Sequence, residues 1–323
     1  MNQNCKIVYM GTPEFAVAPL RQLIDKGYHI TAVVTAPDKP VGRGLRIAQS
    51  DVKKYALENG LRILQPTSLK DSSFIQELSN MNADLFVVVA FRMLPKEVWS
   101  LPKKGTFNLH ASLLPMYRGA APINWAIING EQKTGVTTFL IDQEIDTGKI
   151  LFSEEVKIEP EDNAGTLHDK LMEKGALLVE KTVRELIKGN VTPMDQKGYH
   201  PLEITLKNAP KINRETCTID WSQPCGKIHN LIRGMSPYPA ASATLSNGIK
   251  DVPVKIFRSK ELPGQKNLEP GAIETDGKNY LRVGCGEGSL DIESLQAAGK
   301  KRMTTKEFLA GLREAKTYRF ILT

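Results

Sequence analysis

The chain has 323 residues, with 43 Lys+Arg against 36 Asp+Glu, 41% hydrophobic residues and four cysteines. That length buries a full core and accommodates two domains, and the composition excludes a disordered, collagenous or disulfide-framed chain. No apolar run reaches membrane-spanning length, and Cys5, Cys217, Cys225 and Cys285 form no CxxC pair; reduced thiols in a cytoplasm, no membrane and no metal site are expected.

The predicted elements begin at once with a strand over residues 6–9, which leaves no room for a signal peptide. Its following turn, Gly11-Thr12-Pro13, is not GxGxxG and argues against a nicotinamide or flavin dinucleotide. A helix over 15–26 and a strand over 30–34 come next. Residues 36–50 read as a long loop in which Asp38, Lys39, Arg43 and Arg46 sit among prolines and glycines. A loop of that length inside a compact unit is functional or disordered. Helices follow over 51–59, with Ser50 as N-cap, and over 72–79. The run Val87-Val88-Val89 in a strand over 85–89 is what a parallel strand covered on both faces requires. Strands over 106–109 and 136–141 and a helix over 166–188 complete the first part; His168 reads as a surface residue. Alternating strand and helix predict a doubly wound, mostly parallel α/β sheet, whose ligands bind beyond the carboxyl ends of its strands.

Residues 189–213 mix Gly, Pro, Asn and Lys without a clear period and read as a linker. Beyond them, short strands over 241–245, 254–257, 272–274, 280–283 and 290–292 are separated by turn signals such as Asn247-Gly248 and Asp276-Gly277, the spacing of a small β-barrel. The glycine-rich run 284–288 reads as a hairpin turn. From residue 201 onward there are 19 Lys+Arg against 13 Asp+Glu, so nearly all the excess positive charge sits in the last third. A phosphate backbone would be attracted there. The expected division is a catalytic domain over 1–189, a linker over 190–208 and a C-terminal domain over 209–323.

The chemistry concentrates between Phe107 and Gly148. Asn108 and His110 stand two apart at the end of a strand, so alternation puts both side chains on one face. A carboxamide donor beside an imidazole suits acyl transfer to an amine, one group for the developing oxyanion and one for the proton. Asp146 follows the next strand and is placed to return to His110. An Asn-X-His at a strand end is ordinarily turn chemistry. The sequel raises its meaning: Ser112-Leu113-Leu114-Pro115, then the small-residue loop Arg118-Gly119-Ala120-Ala121-Pro122, with Pro122 opening an apolar-periodic helix.

At these residues the chain resembles the folate-dependent formyltransferases. The resemblance extends to Met10 through Phe15, to 37–40 with Gly42-Arg43-Gly44, to 87–90 and to Ile219-Asp220-Trp221, and so covers nearly the whole sequence. Two positions depart from the family pattern: Ala111 replaces a usual glycine, and Phe91-Arg92-Met93 replaces a Tyr-Gly-containing segment. The resemblance implies a Rossmann-like sheet followed by an OB-like barrel. It implies formyl transfer from 10-formyltetrahydrofolate to the α-amine of methionine esterified to initiator tRNA, by a monomer. The catalytic trio would be Asn108, His110 and Asp146. Ser112, Leu113, Leu114, Pro115, Ala90, Phe91 and Asp142 would hold the folate, and Lys39, Arg43, Arg46, Lys207 and Lys211 the tRNA. The alternative is a sugar-nucleotide formyltransferase, which shares the trio.

Overall fold

The structure is a computed structural model and describes residues 5–41, 46–198, 205–262 and 268–322. In chain order the first half comprises β1 (Lys6–Gly11), α1 (Val17–Asp25), β2 (His29–Val34), β3 (Lys39–Val41), β4 (Arg46–Ala48), α2 (Asp51–Glu58), β5 (Ile63–Leu64), α3 (Ser72–Asn80), β6 (Leu85–Val89), α4 (Lys96–Trp99), β7 (Thr106–His110), β8 (Arg118–Gly119), α5 (Pro122–Ile128), β9 (Lys133–Leu140), β10 (Ile150–Lys157) and α6 (Ala164–Lys188). The helix starts follow from local chemistry. Ser50 accepts the Lys53 amide at 3.0 Å to cap α2, Asp71 accepts the amides of Ser73 and Phe74 to cap α3, and proline occupies the first turn of α5.

The main sheet runs β10-β9-β7-β6-β1-β2-β5. Its five strands from β7 to β5 are mutually parallel, whereas β9 is antiparallel to β7 and β10 to β9. Val8, Met10, Val34, Phe86 and Val88 pack with Phe74 and Leu78 of α3 on one face. The alternate residues Ile7, Tyr9, Val33 and Val87 are also fully buried, so both faces are covered and the strands read as continuous apolar runs. Strand order reverses between β1 and β6, which opens the ligand crevice at their carboxyl ends. There Gly11 lies so close to Ala16 Cβ and the Val89 carbonyl that a side chain would not fit.

The second half adds β11 (Asn208–Ala209), α7 (Cys225–Met235), β12 (Ala241–Ser246), β13 (Asp251–Glu261), β14 (Ile273–Glu274), β15 (Arg282–Gly284), β16 (Ser289–Ala297), β17 (Met303–Thr304), α8 (Thr305–Ala310) and β18 (Arg319–Phe320). An antiparallel sheet runs β14-β15-β16-β13-β12-β18, and the bridge between Ala272 and Arg319 joins its two ends into a small barrel. Trp221 and Phe320, 4.7 Å apart between ring centroids, centre its core with Ile228, Leu245, Ile256 and Leu295.

Two compact units result. One holds the residues up to Gly119 with Lys133–Lys157 and His168–Asn208; the other holds Ala120–Gln132, Ile158–Leu167 and everything from Ala209 on. Helix α5 belongs to the second unit because it packs on α7, where Gly234 leaves no space for a side chain against Ile128 and its carbonyl accepts Asn124 Nδ2 at 2.7 Å. His168 is half-buried rather than a surface residue, edge-on to Phe15 at 5.3 Å. No helix among the described residues is long and apolar enough to cross a membrane.

Candidate active site

Strand β7 positions the central pair. Phe107 and Leu109 are buried on one face, with Leu109 against Gly175 of α6, so Asn108 and His110 project together from the other. Asn108 is half-buried, and its carboxamide makes no hydrogen bond among the described residues. His110 is only 6% exposed. Its Nε2 lies 2.8 Å from the Tyr117 carbonyl oxygen. A carbonyl can only accept, so Nε2 carries a hydrogen in either charge state and the proton that comes and goes is the one on Nδ1. Nδ1 faces Asp146 Oδ2 at 3.8 Å.

The carboxylate is held independently. Asp146 Oδ2 accepts the Gly119 amide at 2.9 Å, and Asp146 itself adopts φ +56°, a left-handed conformation that side chains resist. Residues 117 and 119 therefore grip both members of the pair, one through a carbonyl and the other through an amide. Tyr117 is in turn fixed by its own amide, which donates to the Lys207 carbonyl at 2.6 Å. Sequence reasoning offers Asp146 to orient or charge-stabilise the imidazole. The geometry ties the ring to the Tyr117 carbonyl and leaves the Asp146 carboxylate facing Nδ1 at 3.8 Å, beyond hydrogen-bond reach. Main-chain partners leave no mark in a sequence, which hides Tyr117 from any reading of residue types.

The segment Ser112–Pro115 forms the wall beside His110. The Ser112 hydroxyl donates to the Met116 carbonyl at 2.6 Å, and Thr137 Oγ1 donates to the Ser112 carbonyl at 2.7 Å and accepts the Leu114 amide at 3.2 Å. Leu114 is fully buried with Phe139 and Ile150, and Leu113 lies against Gly135. The side chains of Ser112 and Leu114 point inward, so a ligand would meet their main chain. At the end of β6, Ala90 is exposed with φ +46° and Phe91 is half-buried. The Arg92 guanidinium lies 5.3 Å over the Phe91 ring and donates to the carbonyls of Pro66 and Thr67. Asp142 closes the β9–β10 loop, accepting from Thr147 Oγ1 at 2.8 Å.

The basic loop expected over 36–50 contains the hairpin β3–β4, paired from Lys39↔Ala48 to Val41↔Arg46. Its base is tied down by Asp38, which takes Lys53 Nζ at 2.6 Å and Gln65 Nε2 at 2.9 Å. Those hydrogen bonds, Lys53 first, hold the Asp38 carboxyl below the usual range. Lys39 is exposed, Arg46 stands at the start of β4, and Arg43 lies outside the described residues. Lys207 and Lys211 are exposed. The second unit carries an open groove lined by Arg214, Tyr238, Lys255 and Gln296, with no carboxylate among the described residues on its walls. No cluster of three or more His, Cys, Asp or Glu side chains placed to hold a metal occurs among the described residues.

Comparison with known proteins extends this geometry to a family. The family model described as "Formyl transferase" matches residues 5–183, and "Formyl transferase, C-terminal domain" matches 211–313. The methionyl-tRNA formyltransferase of Bacteroides fragilis is 52% identical over 310 residues, 96% of this chain and 95% of that protein. The protein of the same name from Flavobacterium johnsoniae is 50% identical over 319 residues, 98% and 100% of the two chains. Among solved structures, a sugar 3N-formyl transferase crystallised with dTDP and 5-N-formyl-THF aligns with TM-score 0.64 at 23% identity, over 92% of this chain and 99% of that one. HypX from Aquifex aeolicus with tetrahydrofolic acid aligns with TM-score 0.63 at 16% identity, over 94% and 46%. These two structures share the fold; the two bacterial relatives share half the sequence from end to end, and the chain belongs to the formyl transferase family.

Proposed function

We propose that this protein transfers the formyl group of 10-formyltetrahydrofolate to the free α-amine of methionyl initiator tRNA, acting as a monomer in the cytoplasm. The observation that carries the reading is the pairing of His110 Nδ1 with Asp146 beside the unengaged Asn108 carboxamide, at the carboxyl end of a central strand. It is supported by relatives of about half identity that bear that activity in their names.

An α-amine has an ordinary pKa of about 7.7–8.0, so a sizeable neutral fraction is present near neutrality. The task is then to place that nitrogen against the formyl carbon and stabilise the oxyanion as the carbonyl becomes tetrahedral. Asn108 supplies the donor for the oxyanion. The amine loses its proton to His110 Nδ1, and the imidazolium so formed is stabilised by Asp146. Collapse of the tetrahedral species breaks the bond to the folate nitrogen, which leaves protonated as tetrahydrofolate. The crevice between β1 and β6, with Phe91 and the main chain of 112–115, suits a flat heteroaromatic ring. Lys39, Arg43 and Arg46 are assigned to the acceptor arm, and Lys207 and Lys211 to neighbouring phosphates. Incubation with charged initiator tRNA and labelled formyl donor should give formylmethionyl-tRNA. Transfer to a dTDP-amino sugar instead, with none to tRNA, would replace this reading with the sugar-nucleotide one.

A further inference from the structure

We infer that Gln196, buried beyond the last helix of the first unit, is a positioning residue that sets the Asp146 carboxylate against His110. After α6 the chain returns along β10, where Met194 and Ile150 exchange both main-chain hydrogen bonds, at 2.8 and 2.9 Å. That pairing brings Gln196 against the loop between β9 and β10. Its Nε2 donates to the carbonyls of Asp146 and Gly148, each at 2.8 Å. Its Oε1 accepts from Arg118 Nη2 at 2.6 Å and Nε at 3.1 Å. The side chain is 4% exposed, and both donors and both lone pairs of the carboxamide are used.

The same two residues close a ring around the catalytic carboxylate. Arg118 holds Gln196, Gln196 holds the Asp146 main chain, and the Gly119 amide, next to Arg118, holds the Asp146 carboxylate at 2.9 Å. A left-handed aspartate persists only where its surroundings over-determine it, and these bonds do so. Gly148, whose Cα abuts the Leu140 carbonyl too closely for any side chain, removes the remaining play in the loop. Loss of Gln196 would let Asp146 relax toward ordinary backbone angles and carry Oδ2 away from Nδ1. Nothing places Gln196 against a reacting atom, so its effect is exerted through Asp146. The kinetic consequence rests on the formyl-transfer reading above; the hydrogen bonds do not.

The test compares wild type, Gln196→Met, Asp146→Asn and their double variant as full-length proteins. The Gly119 amide reports directly on Asp146 by NMR. Gln196→Met should shift its proton upfield and speed its exchange by about tenfold or more, as loss of that hydrogen bond requires. In formyl transfer, Gln196→Met should lower kcat by about 10–100-fold, with KM for both substrates within about twofold of wild type. In the Asp146→Asn background the same change should add less than about twofold, because the carboxylate it positions is already neutral. An unmoved Gly119 amide, or rate effects that multiply in the double variant, would overturn the assignment. Should Gln196→Met not fold, Arg118→Met removes one side of the ring and is read by the same amide. A wild type unable to formylate tRNA would refute the proposed function, while the Gly119 amide would still decide what Gln196 does.

Discussion

The two units treat polar groups in opposite ways. Around the candidate active site they are few, largely withdrawn from solvent and, the Asn108 carboxamide apart, tied to a named partner: His110 to Tyr117, Asp146 to Gly119, Ser112 to Met116 and Thr137. On the barrel they are many and exposed. Arg258 reaches Glu293 at 2.7 Å and Glu161 at 3.2 Å from a largely open position, and Arg302 lies 4.6 Å over the Phe257 ring. Acyl transfer needs a small number of dipoles held still where water is scarce. Attraction of a polyanion needs exposed cations in number, with no one of them decisive. Single substitutions should therefore act steeply in the first unit and gradually in the second.

The steepest effects belong to the trio. Asn108→Ala and His110→Ala should each lower kcat by about 10²–10³-fold, the usual cost of removing an oxyanion donor or a proton acceptor, with the fold unchanged by circular dichroism. Near-normal turnover in either folded variant would remove the distinction between the units at its source. Asp146→Asn should also slow turnover while leaving tRNA binding intact. The carboxylate that faces Nδ1 at 3.8 Å would be gone, while the Tyr117 carbonyl would still orient the ring. Unchanged turnover in the folded variant would mean that Asp146 acts only as a structural residue.

Intermediate effects are expected where charge meets the proposed tRNA. Arg43→Ala should weaken productive binding of charged tRNA by roughly tenfold, near the lower end of the about 1.5–3 kcal/mol that a hydrogen bond to a charged group contributes, and leave folate binding intact. Substituting Lys300, Lys301 and Arg302 together should instead reduce the slope of log affinity against log salt, by about one unit for each phosphate no longer neutralised. Titration of both variants at several salt concentrations separates the two modes, because a localised hydrogen bond and a diffuse field differ in slope as well as affinity.

Much of this is legible in the sequence, for reasons that differ between elements. Strand β6 carries the continuous β-branched run Val87-Val88-Val89, and Ser50 and Pro122 announce their helices through capping chemistry. Strand β10 escapes a reading by period, because ILFSEEVK mixes an apolar start with charged residues that face outward on an edge. Strand β13 is expected at four residues and has eleven; an irregular register between Ile256 and Arg258 breaks the alternation that would reveal its length. The membership of α5 in the second unit depends on Gly234 and Pro210, far along the chain, where the Trp125 indole donates to the Pro210 carbonyl. At the site, the trio is visible as residue types. The main-chain partners of residues 117 and 119, and the role of Gln196, exist only once distant segments pair. A chain cut near residue 205 would strip α7 from α5 and leave that helix face bare.

The smallest effect expected concerns His229, a half-buried titratable group in the second unit, where many charges are exposed. It sits on α7 with Nδ1 3.1 Å from the Ser259 hydroxyl. Burial first, and the nearby Arg233 guanidinium second, lower its pKa below the ordinary value, against the opposing pull of Glu261, Glu161 and Glu293. The sign of the consequence is fixed by linkage. Below about pH 6.5 the unfolded chain takes up a proton that the folded chain resists, so stability declines as pH falls through that value toward the lowered folded one. Above it neither state is protonated and the contribution is flat. His229→Gln, which keeps a polar partner for Ser259, should remove this part of the slope between about pH 5 and 7 while leaving formyl transfer at neutral pH unchanged. Denaturant unfolding at stepped pH decides it. An identical slope in the variant would show that His229 is already solvated when folded.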